Sequence, residues 1–287
     1  MRSLANLGKK TMTLFSTMPW KGAGRDSADI SPANPVWPLP RTENGLSAEQ
    51  ILREFAKYES WHYAYEFEGG ISPALSHYQQ SGLAGDLKRP LQRFRHFMPY
   101  VMKAAGGSLQ GKRVLDIACN SGFWSVQFAL LGADVVGFDA RPELIEQANL
   151  IKSIVGLKNV RFHLLDFWDM SPQSLGGQFD IVLNLGILYH LPNTLQALQL
   201  TRAMAREHIL LDTEVHPSED SVVKLRWEQP DHIRSAARSG IVAVPSKSSV
   251  EMMLKDLGVA EWCAIPVRGD MPRDYLEHRR GSWLVKV

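Results

Sequence analysis

The feature that most constrains this chain is a change of rhythm at residue 112. From there, short apolar runs alternate with longer segments of helical periodicity: "RVLDIA" precedes "GFWSVQFALLG", "DVVGFD" precedes "PELIEQANLIKSIVG", and "FDIVLNL" precedes "TLQALQLTRAMA". Continuous apolar runs suit strands buried on both faces, and strands separated by helices pair in parallel. The spacing predicts an α/β domain over residues 109–287, with "VRFHLL", "HILLDTEV", "EWCAIPV" and "GSWLVKV" as further strands and a helix at "SSVEMMLKDLG". Residues 216–245 lack either rhythm and are expected to form an irregular insertion over one end of the sheet.

Upstream, residues 46–108 read as a separate N-terminal segment. "SAEQILREFAKYE" opens with Ser47 and Gln50 in capping-box spacing, which predicts a helix. "WHYAYEFEGGISP" places aromatics at alternate positions before a Gly-Gly turn, so a strand or extended flap is expected. "RPLQRFRHFMPYVMKAAGG" predicts a helix starting at Pro90, kinked at Pro99 and ended by the glycine pair. Residues 1–45, rich in Pro, Ser and Asn from 26 to 44, are expected to be a flexible arm. The first 25 residues hold five basic residues and no acid, and a targeting segment stays open beside the plain arm.

Thirty-two basic against 30 acidic residues give a net charge of +2, which argues against a nucleic-acid partner without excluding a local basic face. The clearest basic cluster, Lys88, Arg89, Arg93 and Arg95, does not share one narrow helical face and is expected to be solvated. Two cysteines, Cys119 and Cys263, lack metal-ligand spacing and give no disulfide framework, so a reducing, cytoplasmic location is the default. No run reaches the roughly 18 apolar residues of a membrane span. A homodimer stays open.

The chemistry concentrates in "VLDIACNSGFWS". Asp116 lies within a buried strand, where a carboxylate needs donors, and the following loop offers Ala118, Cys119, Asn120 and Gly122 at a position where open α/β sheets bind ligands. About 20 residues on, the second strand ends in Asp139 and Ala140, from which a carboxylate accepts hydrogen bonds from ribose hydroxyls. A dinucleotide loop reads Gly-x-Gly-x-x-Gly without an internal acid, unlike this one.

An acid followed by small residues at alternate positions resembles the first motif of the class I S-adenosylmethionine-dependent methyltransferases, with Ala118 and Asn120 in place of two glycines. The resemblance covers about residues 110–215 and implies a seven-stranded, mainly parallel Rossmann-like sheet with helices on both faces and an N-terminal helical lid. It implies S-adenosylmethionine as cofactor, Asp116 organising its methionine end and Asp139 binding its ribose. Asp166 and Phe167 in "LLDFWD" would meet the adenine, with Asn184 and Leu185 of "FDIVLNLGILYHL" near the sulfonium. "CNSGFWS", "VLNLGILYHLPN" and "WHYAYEFEGGISP" further resemble a branch holding the tRNA wobble-uridine carboxymethyltransferase group and many small-molecule methyltransferases.

His190, after Tyr189 at the end of the fourth strand, is the candidate base for an acceptor hydroxyl, with a structural loop cap as its alternative. Tyr189 would orient the acceptor. Trp61, His62, Tyr63 and Tyr65 either wall an acceptor pocket or pack the lid; Trp124 either shields the cofactor or is core. Asp212, Glu214 and His216 share one face of a strand; solvated carboxylates are favoured over a metal, and Glu214 and His216 are second-rank acceptor contacts. The expected activity is O-methylation of a small metabolite, a phenol, sugar hydroxyl or carboxylate. Its rivals are a tRNA-modifying methyl- or carboxymethyltransferase and a catalytically silent cofactor-binding scaffold.

Overall fold

The computed structural model describes residues 33–43, 45–72, 88–229, 238 and 240–287. The predicted strands form one seven-stranded sheet. In chain order they are β1 (Arg113–Ile117), β2 (Asp134–Asp139), β3 (Val160–Leu164), β4 (Phe179–Leu185), β5 (Ala205–Glu214), β8 (Glu261–Ala264) and β9 (Arg280–Lys286), and across the sheet they run β3-β2-β1-β4-β5-β9-β8. The first five pair in parallel, while β9 runs antiparallel to both β5 and β8. The chain order reverses between β1 and β4, the topological switch at which such sheets open a ligand crevice.

Both faces are covered, which explains the continuous apolar runs. Val114, Val135, Ile181, Leu183, Leu210 and Leu284 point into one core, and Leu115, Ile117, Val136, Val182, Ile209, Leu211 and Val285 into the other. The first core is closed by α1 (Ala48–Phe55), α2 (Arg89–Ala104), α3 (Phe123–Leu130) and α4 (Pro142–Val155); the second by α5 (Thr194–Met204) and α6 (Lys247–Asp256). A short helix α7 (Arg273–Leu276), absent from the sequence expectations, leads into β9. Among the described residues no helix is long and apolar enough to cross a membrane.

The capping box at α1 forms as predicted: Ser47 Oγ accepts from the Gln50 amide while Gln50 Oε1 accepts from the Ser47 amide. Helix α2 runs through Pro99 and stops before Gly106 and Gly107, both left-handed.

Three expectations need correction or narrowing. Residues 1–32 of the expected arm lie outside the described residues, but 33–43 are anchored rather than flexible: Leu39 is buried and pairs with Phe67, and Val36 exchanges hydrogen bonds with the Gln127 side chain. Of the two alternatives for "WHYAYEFEGG", the strand is not formed; Phe67 makes isolated bridges only, and Trp61, Tyr65 and Phe67 pack around Phe55. The insertion is not wholly irregular. It carries an antiparallel pair, β6 (Val223–Trp227) and β7 (Ile241–Pro245), tied to the segment after β4 by the Ala243 amide donating to the Leu191 carbonyl. Lid positions 73–87 and insertion positions 230–237 and 239 lie outside the described residues.

Candidate active site

A cavity of about 730 Å³ opens along the carboxyl ends of the parallel strands. The loops after β1 to β4 and the end of β5 supply its floor, α2 and the Met271–Arg280 region one wall, and Arg238 of the insertion reaches the other.

The β1 loop achieves its turn without the usual glycines. Ala118 and Asn120 both take left-handed backbone angles, φ of 53° and 52°, and both line the cavity. The cost of placing side chains in this region is offset by local ties: the Cys119 amide donates to the Phe138 carbonyl, and the Asn120 amide donates to Asp139 Oδ2 at 3.1 Å. Tyr65 holds the same loop from behind, its hydroxyl 2.7 Å from the Ser121 carbonyl.

Asp116 is buried beneath the loop and accepts from the Ser125 amide (3.1 Å) and hydroxyl (2.7 Å). Burial pushes its pKa up to about 7, with the Ser125 bonds pulling the other way. Asp139 lines the cavity, its second oxygen accepting from the Arg141 amide at 3.1 Å; burial raises its pKa against the pull of these amides. Ala140, Asp166, Phe167 and Leu185 also line the cavity. Asp166 caps its turn through the Trp168 amide and pairs with Arg238 Nε at 3.0 Å.

Several predicted residues lie elsewhere. Asp116, Cys119 and Gly122 underlie the loop without lining the cavity, and burial drives the Cys119 thiol well up, so it is an inert core residue. Asn184 is turned toward α5, donating to Thr201 Oγ1. Trp61, Tyr65 and Trp124 are core, whereas His62 and Tyr63 do reach the cavity. His216 is off the cavity, its amide donating to the Pro245 carbonyl; Glu214 lines it but is held by Arg226 at 2.8 Å. Among the described residues no cluster of His, Cys, Asp and Glu is suited to a metal.

Asp212 is not a solvated strand-end carboxylate. It is fully buried and accepts from Arg93 Nη2 (2.7 Å), Arg280, Tyr275 Oη (2.7 Å) and Ser282 Oγ (2.7 Å). Burial alone would raise its carboxyl, but Arg280 and Arg93 outweigh it and hold it well below the usual carboxylate range. The basic cluster on α2 is likewise split rather than uniformly solvated: Arg95 is exposed, Arg89 pairs with Asp274, and Arg93 is 3% exposed.

His190 and Tyr189 both line the cavity. His190 Nδ1 is 2.6 Å from Oε2 of Glu228, a residue of the insertion that sequence reasoning missed. Glu228 is also held by Arg226 Nη2 at 3.0 Å; burial raises its carboxyl, and the His190 and Arg226 contacts win and leave it lowered. A carboxylate on Nδ1 fixes the ring so that Nε2 carries the lone pair, the arrangement of a general base.

The family model described as "Methyltransferase domain" matches residues 108–254, just over half of the chain. This chain belongs to the methyltransferase domain family. Similar curated proteins are ubiquinone biosynthesis O-methyltransferases: that of Cereibacter sphaeroides is 37% identical over 100 residues, covering 34% of this chain and 38% of that protein. The Bordetella avium protein is 30% identical over 118 residues, covering 41% and 48%. The match thus spans less than half of either relative. Among solved structures, the N-terminal domain of EvdMO1 in the presence of SAH and D-fucose aligns over 86% of this chain and 98% of its own, with a TM-score of 0.67 at 22% identity. That likeness establishes the fold, with the strand order and the antiparallel β9 of the class I methyltransferases. In this family member the cavity lies at the carboxyl ends of the parallel strands.

Proposed function

We propose that this protein is an S-adenosylmethionine-dependent O-methyltransferase acting on a small molecule in the cytoplasm. The observation that carries the reading is that one cavity contains both Asp139, at the end of β2, and His190 held by Glu228. The donor set fits the cofactor: Asp139 retains acceptor lone pairs for ribose hydroxyls, Asp166 and the Phe167 segment line the next strand end, and Asp116 lies under the loop that would meet the methionine end.

Bound S-adenosylmethionine supplies a methyl group already activated on a sulfonium, so the chain's task is to position the acceptor, exclude water and remove a proton. His190 Nε2 takes the hydroxyl proton, and Glu228 stabilises the imidazolium that results. Tyr189, whose ring lies tilted against His190 with centroids 4.0 Å apart, closes the acceptor side. The relatives named as ubiquinone biosynthesis O-methyltransferases favour oxygen as the acceptor atom.

The test is methyl transfer from isotopically labelled S-adenosylmethionine to a panel of catechols, phenols, sugars and carboxylic acids, and to a metabolite extract. A labelled O-methyl product, lost in His190→Ala, is expected. A protein that binds the cofactor and labels nothing would be the silent scaffold instead.

A further inference from the structure

The mechanism above leaves a buried group of arginines without a task. Arg93 and Arg280 are 3% and 6% exposed, both line the cavity, and both are bonded to the same carboxylate, Asp212. The Tyr275 and Ser282 hydroxyls occupy its other oxygen. Beside them Arg89 forms a two-bond pair with Asp274, at 2.8 and 2.5 Å, and Asp274 is also 3.8 Å from Arg280 Nε. Among the described residues these three guanidinium groups share Asp212 and Asp274 as acceptors.

Arg93 and Arg280 thus form a buried pair of guanidinium groups that borders an open cavity. Arg93 Nε, moreover, is buried with no hydrogen-bond partner. A buried N–H without an acceptor is costly, and a planar guanidinium fork matches a carboxylate or phosphate. Arg280 also lies at the acceptor end: its guanidinium stands 5.4 Å from the Tyr189 ring centre, and a Cβ built on Gly186 would come within 3.4 Å of its Nη2. The β2 and β3 ends, with Asp139 and Asp166, are those assigned above to the nucleoside.

We infer that Arg93 and Arg280 form a receptor for an anionic group, a carboxylate or phosphate, carried by the methyl acceptor. The inference rests on the methyl-transfer reading of the same cavity and narrows its substrates to anionic small molecules. The rival source of such an anion is the carboxylate of the cofactor's own methionine end.

Calorimetric titration of the full chain with malonate and with inorganic phosphate separates these sources. It is run on the apoprotein, with saturating S-adenosylhomocysteine, and with 5′-methylthioadenosine, which lacks the amino-acid end. Saturable anion binding that persists with S-adenosylhomocysteine is expected, weakened at least tenfold by Arg280→Gln and unchanged by Arg161→Gln, whose partner Asp134 is remote from the cavity. Should Arg280→Gln unfold, Arg93→Lys, which removes the Nε donor, carries the same expectation.

Absence of saturable binding in the wild type, or equal binding by the variants, overturns the receptor. Binding that survives 5′-methylthioadenosine but is abolished by S-adenosylhomocysteine assigns the arginines to the cofactor and overturns the acceptor role. If S-adenosylhomocysteine itself does not bind, the methyl-transfer reading fails, while the apoprotein titration still decides whether the arginines form an anion receptor.

Discussion

His190 and Glu228 are joined at 2.6 Å across 38 residues of sequence, linking the end of β4 to the insertion. If Glu228 positions the base, Glu228→Gln lowers kcat by about 10- to 100-fold, a part of what general-base catalysis supplies, and leaves S-adenosylhomocysteine affinity within about twofold. Glu228→Asp restores part of the rate. The kcat-against-Kd comparison separates positioning from a structural role, since a collapsed cavity would weaken both.

Asp116 makes the stability of the apoprotein fall as pH rises. Its folded pKa, pushed up to about 7, exceeds the ordinary unfolded value near 4, so between those values the folded state holds a proton that the unfolded state has released. The stabilisation is complete below the lower value and lost as pH rises through the upper, by at most about 4 kcal/mol. Denaturant midpoints measured from pH 4 to 8 are expected to decline, and Asp116→Asn to flatten that decline.

Gly122 caps the start of α3 at φ +85°, and a Cβ there would stand 2.9 Å from Phe162 Cζ and 3.2 Å from Ala148 Cβ. Gly122→Ala therefore combines left-handed strain with overpacking and costs about 2–4 kcal/mol, read as a lower Tm. Asn120→Gly, which relieves strain in the same loop, leaves Tm within a few degrees of the wild type.

Arg238 pairs with both Asp166 and Asp169, and its side chain is 55% exposed. An exposed pair contributes little, yet it occupies a carboxylate assigned here to the adenine. Arg238→Ala should tighten S-adenosylhomocysteine binding by up to about fivefold and weaken its salt dependence; weaker binding in the variant would place Arg238 among the cofactor contacts.

The strands were legible because burial on both sheet faces writes itself as consecutive apolar residues, as in "FDIVLNL", and the position of Asp139 because it closes the second strand about 20 residues past the first loop. The aromatic alternation at Trp61 to Phe67 left a strand and an extended flap both open, since packing around Phe55 produces the same pattern as a strand. Arg93 read as a surface charge because its counter-ion is 119 residues away. Glu228 was invisible for a similar reason: nothing local marks a glutamate that a strand pair in an insertion brings to a histidine. Charged residues take their meaning from partners distant in sequence, whereas apolar periodicity is local.

The central claim is that the cavity is a cofactor site anchored by Asp139. Calorimetric titration with S-adenosylmethionine, on the wild type and on Asp139→Asn shown to be folded by circular dichroism, tests it most directly. Micromolar binding to the wild type, weakened at least tenfold in the variant through loss of the charged ribose acceptor, is the predicted result. No binding to the folded wild type, or equal binding by both proteins, would contradict it.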